Sequence, residues 1–172
     1  MKLLKRILAL TTLGFLFAML GCATVQKGGE LSEQEAKALT AQLSDIWNKG
    51  DLALVDKVFA PEFIRGEVDV APPIIDSDAL KNYIAAVRTA YPDFNFQIDE
   101  IIVKGDRLIY RGTITGTNTG PFYGMPPTGK KIKVSYVSIC RIVDGKFAEA
   151  LIYYNDAAIL KQLGYTFTPP SD

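Results

Sequence analysis

The chain has 172 residues, 48% hydrophobic and 22% charged, with 19 basic and 19 acidic side chains and no histidine. That length and apolar fraction suit one domain with a substantial core, and they exclude disordered, collagen-like and disulfide-dense classes. The missing histidine excludes Ser-His-Asp and Cys-His nucleophile systems, the commonest zinc ligand and the default base near neutral pH; acid–base chemistry must fall to Asp, Glu, Lys, Tyr or Cys.

Residues 1–21 read as a signal peptide. Lys2, Lys5 and Arg6 precede an uncharged run from Ile7 to Leu20, and small Gly21 stands before Cys22. The run is shorter than the ~20 residues of an ordinary membrane span. Met19-Leu20-Gly21-Cys22 resembles the bacterial lipobox, in which the cysteine is acylated and becomes the mature N-terminus, although Met-Leu replaces the usual Leu-Ala. A soluble secreted protein cut nearby is the plainer alternative. With Cys22 lipidated, residues 22–31 form a tether and residues 32–172 the domain, held at the cell envelope without spanning the membrane. Ala23 rather than Asp after the cysteine implies the periplasmic face of the outer membrane, for a Gram-negative cell. Cys140 is then left without a partner, so no structural disulfide is expected. Losing the signal leaves 16 basic against 19 acidic residues and no basic block beyond Lys130, Lys131 and Lys133. A nucleic-acid partner is not expected.

Ser32 to Glu35 is a capping box that opens a helix bearing Leu39, Leu43, Ile46 and Trp47, with Gly50 placed to stop it. Asp51 could cap a short second helix with Leu52, Val55 and Phe59, ending near Pro61. Ser77 opens a third, with Leu80, Tyr83, Ile84 and Val87 on one stripe and Pro92 beyond its end. From Phe94 the pattern alternates. Gly105-Asp106 closes a hairpin between Phe94–Lys104 and Arg107–Thr117, and pairing Lys104 with Arg107 sets Glu100 opposite Arg111. A loop over 118–129 leads to a strand from Lys131 to Val143; Asp144-Gly145 turns it back through Lys146 to Tyr154, and a short helix from about Ala157 to Leu163 ends at Gly164. Helices first and a mostly antiparallel sheet after them predict an α+β domain with the helices on one sheet face.

Strict pairing of Val143 with Lys146 sets Tyr136 opposite Tyr153. It gathers Tyr136, Ser138, Cys140, Glu149, Leu151, Tyr153 and Asn155 on one face, with Ala150, Ile152 and Tyr154 on the other. Aromatics with a carboxylate and small polar groups suit a lined pocket. A solvent-facing Glu149 beside sheet-forming tyrosines fits the same pattern.

Gly124 to Lys131 approaches the phosphate-cradling P-loop. It carries Lys131 where a hydroxyl is needed and runs into a strand rather than a helix, so it reads as coincidence. The Gly112, Gly116, Gly120 spacing lies in a strand and its loop and is no nucleotide fingerprint. No metal site is expected, and Cys140 reads as a buried structural thiol rather than a nucleophile.

The loop Thr119 to Gly129, followed by Arg141 to Lys146 (RIVDGK) and Leu160 to Gly164 (LKQLG), resembles the SnoaL-like polyketide cyclase, or ester cyclase, family. With Tyr91-Pro92-Asp93 upstream, the likeness covers most of residues 35–164. It implies a cone of the nuclear-transport-factor type: a curved sheet and helices around one deep pocket, often in a homodimer. Trp47, Phe63, Tyr110, Phe122, Tyr136, Ser138, Leu151 and Tyr153 are the expected lining. Family cyclases use an aspartate to remove a C–H proton, and counting back from Gln162-Leu163-Gly164 sets that position at Asn155, which cannot act as a base. An Asn-His pair of many members aligns with Arg65-Gly66. The resemblance leaves three readings open. One is a pocket binding a small apolar or aromatic ligand without classical cyclase chemistry. Another is a cyclase or isomerase without metal or other cofactor, using Glu149 or Asp156 as acid–base residue with Tyr136 or Tyr153 as donor. The last is a dimerisation or partner-docking module.

Overall fold

A computed structural model of the chain describes residues 30–67 and 73–168. The expected signal peptide, Cys22 and most of the expected tether lie outside these residues. Helix α1 (Glu33–Lys49) starts at Ser32, whose hydroxyl accepts the Glu35 N–H while the Glu35 carboxylate accepts the Ser32 N–H, and it ends at Gly50 with φ 72°. Its apolar stripe of Ala36, Leu39, Leu43, Ile46 and Trp47 is buried. A 3-10 turn (Leu52–Leu54) and one turn of helix, α2 (Val55–Val58), follow.

The second predicted helix stops earlier than its sequence pattern suggested. Phe59 begins a strand, β1 (Phe59–Glu67), instead of closing a helical stripe. Pro61 is tolerated because β1 is an edge strand, with a register irregularity between Phe59 and Ile64. Helix α3 (Ser77–Ala90) is capped by Asp76, whose carboxylate accepts the Ala79 N–H at 2.7 Å. Strands β2 (Asn95–Lys104), β3 (Arg107–Thr117), β4 (Lys131–Val143) and β5 (Lys146–Tyr154) follow, then α4 (Asp156–Leu163).

The five strands form one curved open sheet in the order β1-β5-β4-β3-β2, antiparallel except for β1 against β5. The helices pack on its concave face, giving the expected α+β cone. Two bulges shape it. Asp99 is the extra residue in β2, between the Ile98–Gly112 and Glu100–Arg111 pairs. Ala148 is the extra residue in β5, between Ile142–Phe147 and Arg141–Glu149.

The second bulge overturns the strict pairing read from the sequence. Tyr136 faces Tyr154, not Tyr153, and every β5 side chain beyond Ala148 changes face. Ala150, Ile152 and Tyr154 point inward, while Glu149, Leu151 and Tyr153 point outward. The physical reason lies at Glu149, whose carboxylate in an apolar interior would be costly to desolvate. On the outer face it sits 3.4 Å from both Arg107 and Arg141.

Polar side chains fasten the helices to the sheet. Asn48 donates to the Phe96 carbonyl at 3.0 Å and accepts the Phe96 N–H at 2.6 Å, acting as a surrogate strand partner for β2. Arg88 donates to the Trp47 and Asn48 carbonyls at 2.8 Å each, satisfying the open C-terminus of α1. Together these contacts fix Trp47 over the sheet.

Candidate functional site

A cavity of about 510 Å³ lies between the concave sheet face and the helices. Trp47 of α1 stacks toward Phe96 of β2 (ring centroids 6.0 Å), Phe96 stacks on Tyr136 of β4 (4.9 Å), and Tyr110 of β3 meets Tyr136 edge-on (6.0 Å). This aromatic column forms one wall and suits a flat apolar guest. Phe59, Phe63, Phe147 and Ala150 line the cavity from β1 and β5, and Ile159, Leu160 and Leu163 from α4.

The cavity opens between α4 and the loop joining β3 to β4. Lining residues there are partly or well exposed, Tyr123 most of all at 68%. Asn118, buried at 3%, pins the loop base: its amide donates to the Gly120 carbonyl while its carbonyl accepts the Thr128 N–H and hydroxyl. At the tip, Phe122 and Met125 exchange two backbone hydrogen bonds around Tyr123 (φ 48°) and Gly124 (φ 76°), a tight primed-type turn. Phe122, Tyr123 and Met125 all border the cavity, so the tip of this loop forms part of its rim.

Of the residues expected in the pocket, Trp47, Phe63, Tyr110, Phe122, Tyr136 and Ser138 line the cavity. Leu151 and Tyr153 do not. They lie on the convex face, 38% and 40% exposed, because of the Ala148 bulge. Glu149 is outside with them. Asn155 is exposed and caps α4, its side-chain oxygen accepting the Ala158 N–H at 2.9 Å. It therefore neither lines the cavity nor stands on a common face with Tyr136. We predict that Asn155→Ala costs about 1 kcal/mol of stability through the lost cap, lowering the melting temperature by a few degrees in a calorimetric scan, with ligand binding unchanged.

Two charged residues outside the expected lining also border the cavity: Arg65, which aligns with the Asn of the family's Asn-His pair, and Asp156, one of the two expected acid–base candidates. Arg65 was hidden because β1 was unrecognised. Glu149, the other acid–base candidate, is outside, whereas Asp156 opens α4, and the turn from β5 into that helix puts it in the cavity lining. Among the described lining residues it is the one carboxylate. Arg65 is 8% exposed, and its guanidinium lies 4.6 Å from the centroid of the Tyr83 ring.

Burial holds the Tyr110 and Tyr136 phenols well above their ordinary pKa of 10.0, so both are neutral at physiological pH. The Tyr136 hydroxyl donates to the Gln97 carbonyl at 3.2 Å. Cys140 is buried without a disulfide partner among the described residues, and desolvation pushes its thiol up to about 12. Such a thiol is a packing group rather than a nucleophile. Among the described residues no cluster of three or more His, Cys, Asp or Glu could hold a metal ion, and no helix is long and apolar enough to cross a membrane.

Rim, aromatic wall and strand order together define a known class of domain. The SnoaL-like polyketide cyclase family model matches residues 37–163, and the chain belongs to this family. TsrD from Streptomyces laurentii is 25% identical with a TM-score of 0.71, covering 78% of this chain and 98% of its own. AclR from Streptomyces galilaeus, described as a candidate hydroxylase, is 29% identical with a TM-score of 0.68, covering 81% of this chain and 87% of its own. IdmH from Streptomyces antibioticus, described as a candidate polyketide cyclase, is 25% identical with a TM-score of 0.64, covering 76% and 99%. No curated protein matches the chain.

Proposed function

We propose that this domain binds a small, largely apolar or aromatic ligand in its cavity, at the cell envelope, without the aldol chemistry of its cyclase relatives. The observation that carries the reading is the cavity of about 510 Å³ walled by the Trp47–Phe96–Tyr136 column, a volume typical of small-molecule sites. Against classical chemistry stands Asn155, at the position the resemblance gives to the base, engaged in capping α4. Titration of the mature chain with N-phenyl-1-naphthylamine, a neutral apolar fluorophore, is expected to give saturable one-to-one enhancement. Linear, unsaturable enhancement would refute the binding reading.

One observation favours a second reading, an enzyme of isomerase or cyclase type. Asp156 lines the cavity and is the one carboxylic residue among its described lining, so it is placed to serve as an acid–base group. On that reading Asp156→Asn abolishes turnover while probe affinity is retained.

Lipid on Cys22 accounts for the basic, apolar, Gly21-Cys22 order of the N-terminus. The domain geometry gives this anchor a consequence. The Leu31 N–H donates to the Gly105 carbonyl at 3.0 Å, at the β2–β3 turn, whereas the cavity mouth lies at the other end of the strands. Strand β3 alone is about 33 Å long at the usual rise, roughly the full reach of the nine steps from Cys22 to Leu31. An anchored domain would therefore hold its mouth away from the bilayer. A homodimer would use the convex face, where Leu151, Ile139, Ile109 and Ile102 pair in one continuous apolar row.

A further inference from the structure

We propose that α4 is the gate of this cavity and that Gln162, a positioning residue outside the lining, is the latch that holds it shut. The inference deepens the binding reading above and rests on it. The mouth has two lips, the loop between β3 and β4 and the helix α4, and the two are held differently. On the loop side, the Thr119 and Gly120 N–H groups both donate to the Ala90 carbonyl at the end of α3, at 2.9 and 3.1 Å. The two ends of the loop are joined by the Asn118 N–H to the Lys130 carbonyl and the Gly129 N–H to the Asn118 carbonyl, at 2.9 and 2.8 Å. The Asn118 side chain adds its own bonds to Gly120 and Thr128 at 3% exposure, where water does not compete.

On the α4 side the sheet has run out. Strand β5 ends at Tyr154, opposite Tyr136, so β4 has no β5 partner over residues 131–135. Gln162 stands in for the missing strand at one residue. Its side-chain oxygen accepts the Lys133 N–H at 2.7 Å, and its amide donates to the Lys133 carbonyl at 3.1 Å. The same amide donates to the Ala158 carbonyl at 3.1 Å, tying the latch to its own helix. Gln162 is exposed, so water replaces these bonds at little net cost. At the other end of the helix, Asn155 is the one residue between β5 and α4, and it caps the first turn. Bending there swings the helix as a rigid body. Ile159, Leu160 and Leu163 line the cavity from α4, yet Leu163 alone among the α4 residues is buried, so the moving wall has little packing to lose.

Gln162 does not line the cavity, so substituting it removes no ligand contact. The latch is the same whether the cavity is empty or filled, and losing it speeds opening without changing affinity. Stopped-flow mixing of the mature chain with N-phenyl-1-naphthylamine measures both rates. Gln162→Ala is expected to raise association and dissociation together by about fivefold or more, with Kd within about twofold. Thr128→Ala, which removes a hydroxyl bond to Asn118 on the opposite lip, should leave both rates unchanged. Rates that do not respond to Gln162→Ala overturn the proposal, as does a rise in dissociation alone. Acceleration by Thr128→Ala and not by Gln162→Ala overturns it too, by moving the gate to the loop. On the unmodified chain the observed association rate should level off as the probe is raised, because opening then limits entry. Strict proportionality to probe concentration contradicts the gate without any variant. A probe that never binds saturably overturns the cavity reading and this proposal together, whereas saturable binding with rates indifferent to Gln162 overturns this proposal alone.

Discussion

Ile152→Trp is expected to weaken binding of an apolar probe by more than about tenfold, while Leu151→Trp, one residue earlier, leaves affinity within about twofold. The two positions share a strand and differ only in the face they present. Ile152 pairs with Ser138 and lines the cavity; Leu151 pairs with Ile139 and is 38% exposed on the convex side. An indole at 152 would occupy the space before the aromatic column, and the cavity is large enough to receive it with little of the strain that overfilling a tight core produces. The pair of variants tests the Ala148 bulge directly. Had β5 continued the strict pairing begun at Val143–Lys146, the effects would be exchanged. Fluorescence titration of both proteins, with melting curves to show that both are folded, is sufficient.

Gly112→Ala is expected to be the most damaging small substitution in the sheet, costing about 1–3 kcal/mol and lowering the melting temperature by roughly 5–10 °C. A Cβ at Gly112 would collide with the Gln97 carbonyl of the neighbouring strand and would come within 2.8 Å of the Tyr136 hydroxyl. That carbonyl is the acceptor for the same hydroxyl, at 3.2 Å. The methyl group must therefore move the β2 backbone beside its Asp99 bulge or dislodge Tyr136 from the cavity wall, and either disturbs the Phe96–Tyr136 stack. Gly66→Ala is the matched control. It too lies in a strand, but its added Cβ would meet only Leu151 Cδ2, at ordinary contact distance of 3.4 Å. Thermal denaturation should show Gly66→Ala near neutral and Gly112→Ala strongly destabilised.

Local signals in the sequence were read well where one residue decides one feature. The Ser32 capping box, the Gly50 and Gly164 helix ends and the turns at Gly105-Asp106 and Asp144-Gly145 all stand as expected, because each depends on a hydrogen bond or a backbone angle within a few residues. The failures are non-local. Phe59 to Glu67 carries a proline and no clean alternation, and it becomes a strand only because β5 offers it an edge. The Ala148 bulge has no glycine to announce it; the clue was chemical, since strict pairing would have turned Glu149 into an apolar interior. Six of the eight expected lining residues reach the cavity because they lie before the bulge in chain order or on other elements; Leu151 and Tyr153 lie after it. Arg65 and Asp156 were named in the sequence, but that both border the cavity depends on β1 and on the turn into α4. The glycines at 112 and 120 show the same lesson from the other side: they admit close backbone approach, to Gln97 and to Thr89, and not a nucleotide.

The central claim is that the space between the aromatic column and β5 is a ligand site. A crystal structure of the mature chain grown with N-phenyl-1-naphthylamine tests it most directly. The account predicts one molecule in the cavity, its rings against Trp47, Phe96 and Tyr136. A cavity closed by its own side chains, or a ligand found only on the convex face beside Leu151 and Tyr153, would contradict it.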